Sequence, residues 1–213
     1  MKLLLARHGN TFSPGEVPVF VGSKDDMALV DEGYRQAERF AELLKIRKIK
    51  PDAIYCGPLQ RTRKFAELVA ASLRLELPLI VDERLNELDY GGWNGKSNDE
   101  IIAQFGQAVF DGWNDASIWP TNSSWPSSPE KLGEQVRSFV DDLRNKYSAE
   151  TILVVTSNGR MRYFLKLIDD EFEKRQKDHT LKVAPGNFCQ MTFGDSEPTV
   201  ELWNESPAKA LNL

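Results

Sequence analysis

Leu3 to Ala6 is an unbroken apolar run that stops against Arg7, His8 and Gly9, the pattern of a strand buried on both faces of a parallel sheet. From Asp31 the apolar positions recur at steps of three and four instead. Tyr34, Ala37, Ala41 and Leu44 fall on one face and Arg35, Glu38, Glu42 and Lys45 on the other, which predicts a helix. Pro51 and Asp52 punctuate, Ala53 to Cys56 reads as a second strand, and Phe65, Leu68, Val69 and Leu73 mark a second helix. A third strand is expected over Leu77 to Val81, followed by a polar, glycine-rich segment around Glu87 to Gly95. Between Lys96 and Pro129 no period holds; Trp113, Trp119 and Trp125, interleaved with Pro120, Pro126 and serines, predict an irregular cap insertion at about 96–130 over one end of the sheet. Helical spacing returns at Leu132, Val136, Phe139, Val140 and Leu143, Thr151 to Thr156 is a β-branched strand, and Met161, Phe164, Leu165 and Ile168 stripe another helix. Phe188 to Phe193 and Thr199 to Trp203 read as an edge hairpin turning at Gly194 and Asp195. Strands alternating with helices predict a single three-layer α/β/α domain over 1–213 with a mostly parallel central sheet, whose ligands sit beyond the carboxyl ends of the strands.

Composition narrows the function. A length of 213 residues buries a sizeable core without disulfides, and 41% hydrophobic with 28% charged residues is ordinary for a soluble globular chain. The formal charge of −5 advertises no basic face for nucleic acid or an anionic membrane, so any bound anion must be caught by local arginines. The apolar run after Lys2 is too short for a secretory signal, and no run is long enough to span a bilayer. Cys56 and Cys189 form no disulfide framework and read as small buried residues in a reducing compartment, so a cytoplasmic location is expected. No pair of histidines or cysteines has metal-ligand spacing, and neither a metal nor a cofactor is expected.

The strand ends carry the chemistry. After the first strand come Arg7, His8, Gly9, Asn10 and Thr11: a planar fork of donors for an anion, an imidazole that is a nucleophile when neutral, and a glycine that lets backbone approach closely. After the second strand, Arg61 falls in the first turn of a helix whose amide dipole already favours an anion. After the third, Glu87 stands beside the glycine turn Gly91-Gly92, placed to serve as a general acid.

Arg7-His8-Gly9, the strand-turn-helix that leads to Arg61, the Glu87 to Gly95 segment, and Asp26 to Gly33 followed by Gln36-Ala37 occur in the order that marks the histidine phosphatase superfamily, and over roughly residues 2 to 165 the chain resembles its phosphoglycerate-mutase-like members. The resemblance implies that His8 is the nucleophile that forms a phosphohistidine, that Arg7 and Arg61 clamp the phosphoryl oxygens, and that Glu87 protonates the leaving oxygen. Where the family reads Ser-His-Gly after its fourth strand, the chain reads Val154-Val155-Thr156-Ser157-Asn158-Gly159, and Ser157 is taken to stand at the second histidine. Loss of one preorganised donor costs about 3 kcal/mol, or roughly a hundred- to a thousandfold in rate, so activity is expected to be weakened. Ser157, Asn158 and the amides of the following helix, together with Asn10, are then the remaining polar contacts for phosphate. His179 lies in a polar stretch and is expected to be exposed.

Other signals fail on spacing. Gly92 to Ser97 resembles the end of a nucleotide-binding loop, but Tyr90 stands where that loop needs glycine. Cys56 and Arg61 are too close for a cysteine-phosphatase loop. Trp113, Trp119 and Trp125 read as core of the cap before they read as a substrate wall, and Asp169 to Arg175 as a solvated helix end. The sequence thus points to a phosphatase for a small phosphomonoester, or to an impaired relative that binds a phosphorylated ligand, a protein or inorganic phosphate. A mutase, which must shield its phosphoenzyme from water, fits less well.

Overall fold

A computed structural model describes residues 1–213 apart from positions 122, 195 and 196. Six strands form one sheet in the order β3-β2-β4-β1-β5-β6: β1 (Lys2–Arg7), β2 (Ala53–Cys56), β3 (Leu79–Val81), β4 (Thr151–Thr156), β5 (Phe188–Thr192) and β6 (Thr199–Glu205). The first four run parallel, and β5 lies antiparallel to both β1 and β6. The expected turn at Asp195 between β5 and β6 lies outside the described residues.

Side-chain alternation explains why the sheet is covered on both faces. Leu3, Leu5, Tyr55, Ile152 and Val154 point to one side, where they pack with Val136, Phe139, Val140 and Leu143 of α5 (Pro129–Lys146). Leu4, Ala6, Ile54, Cys56, Leu153 and Val155 point to the other, against Ala37, Phe40, Ala41 and Leu44 of α1 (Asp31–Ile46) and Phe65 and Val69 of α2 (Gln60–Ser72). Strands buried on both faces have no polar positions to spare, which is why they read as continuous apolar runs. The three-layer, mostly parallel architecture is the one the pattern predicts.

Three segments differ from expectation. The third strand begins only at Leu79, because Pro78 has no N–H for the ladder, and it forms a short sheet edge with Val81 exposed. Residues expected to be irregular include two helices, α3 (Asn98–Phe105) and α4 (Gln107–Ala116), separated by Gly106 at φ 95°. Ser97 opens α3 with a capping box, its hydroxyl accepting from the Glu100 amide while the Glu100 carboxylate accepts from the Ser97 amide. After β4 the stripe is not one α-helix but a single turn, α6 (Asn158–Met161), continued by a 3-10 segment Arg162–Leu167, which still buries Met161, Phe164 and Leu165. Two short helices complete the chain, α7 (Glu171–Lys177) and α8 (Pro207–Ala210). Among the described residues, no helix is long and apolar enough to cross a membrane.

Candidate active site

The loop that follows β1 is held tightly. The His8 amide donates to the Thr156 carbonyl (3.1 Å), joining the ends of β1 and β4. A side chain at Gly33 would lie 2.5 Å from the Asn10 carbonyl, so α1 reaches this loop only because residue 33 has no Cβ. The Asn10 amide donates to Gln36 Oε1 (2.8 Å) and the Gln36 amide returns to Asn10 Oδ1 (3.2 Å), which uses the side-chain oxygen of Asn10. His8 is buried, and its Nδ1 lies 2.8 Å from the Gly9 carbonyl. A carbonyl only accepts, so Nδ1 carries the proton and Nε2 keeps its lone pair. Burial, reinforced by Arg61 and Arg7, drives the His8 pKa well below 6.5. The ring is therefore neutral and nucleophilic at pH 7.

Cations surround it. Arg7 spends an N–H on the Val183 carbonyl (2.6 Å), while its buried Nε has no partner among the described residues. Burial lowers its pKa to about 10, so it stays charged at pH 7. Arg61, in the first turn of α2, is buried and donates to the carbonyls of Asp25 (2.7 Å) and Gly22 (3.2 Å), fixing the loop ahead of α1. Arg162, which sequence reasoning missed, is also buried and lines the same cavity. Its guanidinium stacks over Trp113 (4.9 Å) and donates to the Trp113 carbonyl (2.9 Å) and Ser117 Oγ (2.6 Å). Lys182, also missed, sits exposed at the mouth and donates to Asn114 Oδ1 (2.6 Å). A cation on the 3-10 segment after β4 and another just before β5 carry no motif, and only the fold brings them beside Arg7.

Glu87 is buried opposite these groups. Its Oε1 accepts from its neighbour Leu88 (2.8 Å) and its Oε2 lies 3.4 Å from the Gly159 amide. A Cβ at Gly159 would fall 2.5 Å from Glu87 Oε1 and 2.7 Å from the Tyr90 hydroxyl. Arg160 steadies the segment from behind, donating to the Asn86 carbonyl (2.9 Å) and Gln135 Oε1 (2.9 Å).

Ser157 does not reach the site, contrary to expectation. It is fully buried, its Oγ has no partner among the described residues, and it does not line the cavity. Asn158 does line it. The chain leaves β4 with Thr156 donating to the Leu85 carbonyl (2.6 Å) and Ser157 opening the turn of α6, so the next side chain is the one that reaches the cavity. Set residue by residue against Ser-His-Gly, the triplet Ser157-Asn158-Gly159 also puts Asn158, not Ser157, at the histidine. Asn158 Oδ1 accepts from the Val183 amide (2.9 Å), which leaves its NH₂ as a donor. His179 is exposed and outside the cavity, and burial pushes the Cys56 thiol up to about 12, which removes a thiolate nucleophile at neutral pH.

Arg7, His8, Asn10, Arg61, Glu87, Tyr90, Asn158 and Arg162 thus share one cavity of about 740 Å³ at the carboxyl ends of the parallel strands. Trp113 forms part of its wall and also belongs to an aromatic cluster in which Trp125 stacks edge-on against Trp113 (4.7 Å), Trp119 (4.9 Å) and Tyr90 (5.0 Å). Trp113 and Tyr90 serve as both core and wall, whereas Trp119 and Trp125 are not part of the lining. Among the described residues, no three His, Cys, Asp or Glu side chains gather as a metal site would require.

A phosphate-shaped set of cations around a buried neutral histidine, at the strand ends of this sheet, defines a class, and the chain belongs to the histidine phosphatase superfamily (branch 1), whose family model matches residues 3–206. Among curated relatives it is similar to 2,3-bisphosphoglycerate-dependent phosphoglycerate mutases, with 26% identity over 196 residues to that of Bifidobacterium longum (strain DJO10A), covering 81% of this chain and 79% of the relative. To that of Corynebacterium kroppenstedtii it is 33% identical over 193 residues, covering 79% and 77%. Among solved structures, a mycobacterial glucosyl-3-phosphoglycerate phosphatase in complex with VO3 shares the fold, with a TM-score of 0.80 at 22% identity over 96% of this chain and 99% of that one.

Proposed function

We propose that the protein is a phosphatase that hydrolyses a small phosphomonoester through a phosphohistidine at His8. The observation that carries this reading is a buried imidazole, neutral and with Nε2 free, in a cavity it shares with Arg7, Arg61 and Asn158. The Nε2 lone pair attacks phosphorus while the bond to the ester oxygen breaks; Arg7 and Arg61 hold the equatorial oxygens, and Glu87, carrying a proton, gives it to the leaving oxygen. A water then attacks the phosphohistidine, Glu87 takes its proton, and inorganic phosphate leaves with His8 restored. Asn158 supplies a neutral donor where the family's second histidine stands, which stabilises an equatorial oxygen but carries no charge.

One feature favours hydrolysis over mutase transfer. The segment 13–18 rims the cavity and is exposed, so the mouth is open to water. The 96–130 segment, read as the cap of a single domain, supplies Asn98, Trp113 and Asn114 to the wall. Asn158 also motivates the rival reading, a protein that binds a phosphorylated ligand without turnover. Steady-state hydrolysis of a panel of phosphate esters separates the two. Turnover that disappears in His8→Ala and rises about tenfold or more in Asn158→His supports the phosphatase. A wild type that binds phosphate but releases none from any ester supports the binder, and full activity in His8→Ala removes the nucleophile assignment.

A further inference from the structure

We propose that Arg162 and Lys182 form a second anion subsite, so that the substrate is a phosphomonoester whose alcohol carries a further anionic group, a carboxylate or a second phosphate. The inference rests on the phosphatase reading for the first subsite at His8, Arg7 and Arg61. Five cations line the cavity; Arg35 is paired with Glu32, and the other four, Arg7, Arg61, Arg162 and Lys182, are in no salt bridge among the described residues. Of the carboxylates in the lining, Glu32 is already paired with Arg35 and Arg39, and Glu16 is exposed at the rim and accepts from the Ser13 amide. Glu87 alone is left facing the four, a surplus of at least three positive charges (four cations less one carboxylate), and of four when Glu87 holds the proton it donates. A phosphomonoester brings roughly two negative charges. A further anion balances the rest.

Geometry assigns the positions. Asn114 joins the two cations: its carbonyl lies 3.5 Å from Arg162 Nη2, and its side-chain oxygen accepts from Lys182 at 2.6 Å. Both therefore sit at the cap side of the cavity, on elements other than those that present Arg7 and Arg61. Burying a guanidinium without a carboxylate is costly unless a ligand supplies the counter-charge. Trp113 and Ser117 fix Arg162 in place, so its fork is preorganised.

Three esters of one carbon skeleton test this: phosphoglycolate, ethylene glycol bisphosphate and 2-hydroxyethyl phosphate, whose alcohol carries no further charge. Each is measured by kcat/KM in the wild type and by calorimetric Kd in His8→Ala, which reports binding without turnover. The better anionic ester should exceed 2-hydroxyethyl phosphate by about tenfold or more in both, and whichever gives the larger ratio names the group. Lys182→Gln, an exposed position whose loss leaves the fold intact, and Arg162→Met should each bring the ratio towards one. Turnover with no preference overturns the second subsite and leaves the phosphatase standing. A Kd preference erased by Lys182→Gln, with no turnover of any ester, supports the subsite and removes the phosphatase. A preference that survives both substitutions overturns the assignment to these residues.

Discussion

At the scale of single residues, the cavity depends on one protonation state and one missing methyl group. His8 is held neutral by burial and by Arg61 and Arg7, its pKa well below 6.5, whereas in the unfolded chain it titrates near 6.5. Below that pH the unfolded state binds the extra proton and the native state does not, so this residue lowers stability as pH falls through 6.5 and contributes nothing to the pH dependence above it. His8→Ala should therefore lose less stability than wild type between pH 6.5 and 5 in parallel urea titrations, and identical slopes would show that the imidazole is not held neutral. For the same reason, loss of kcat/KM through protonation of His8 should fall below pH 6.5. Gly159 is the missing methyl: an alanine Cβ would press within 2.5 Å of Glu87 Oε1. If Glu87 is the proposed acid, Gly159→Ala should lower kcat by about tenfold or more by displacing it, with circular dichroism unchanged; an undiminished kcat would detach Glu87 from the chemistry. Arg7, His8, Arg61 and Glu87 were legible because each sits in a motif at a strand end. Arg162, Lys182, Tyr90 and Asn114 were not, since nothing in their local sequence distinguishes a wall residue from a surface one. The assignment to Ser157 missed by one position: the triplet Ser157-Asn158-Gly159 already sets Asn158 against the histidine, and the turn out of β4 carries that side chain to the cavity.

Elements were readable where burial imposes a clean period. The four-residue run Ala53–Cys56 and the β-branched run Thr151–Thr156 coincide with β2 and β4, because strands buried on both faces must be apolar throughout. The helix over α1 followed from an apolar stripe opposite Arg35, Glu38, Glu42 and Lys45. α3 and α4 were missed because each is short, Gly106 interrupts them, and the residues they bury, Ile101, Phe110 and Trp113, pack into an aromatic cluster instead of along one stripe. Their local signal was the capping box at Ser97 and Glu100. Ser97→Ala should cost about 1 kcal/mol in urea unfolding, and no loss would mean that α3 is held by packing alone. Arg162 ties the C-terminal end of α4 to the segment after β4 through the Trp113 carbonyl and Ser117. Arg162→Met should cost about 2–3 kcal/mol, because it leaves those acceptors buried without their charged donor; a change within 0.5 kcal/mol would show that water replaces it.

On the scale of the whole molecule, unpaired cations gathered in one cavity make the protein's stability depend on what fills it. Inorganic phosphate at about one hundred times its Kd should add about 2.7 kcal/mol to the free energy of unfolding and raise Tm accordingly. Arg7→Ala should shrink the rise, and a Tm indifferent to phosphate in wild type would mean that the cavity does not hold the anion. A net charge of −5 shows that this positive field is local, built against the overall balance of the chain. The sequence by itself determined the alternation of strands and helices, the parallel sheet with apolar faces on both sides, and the motif residues Arg7, His8, Arg61 and Glu87, because burial and backbone geometry act within a few residues. Only the tertiary structure decided that residues 98–116 are largely helical and that Arg162 and Lys182 join the two arginines, since those placements depend on how segments distant in the chain pack together.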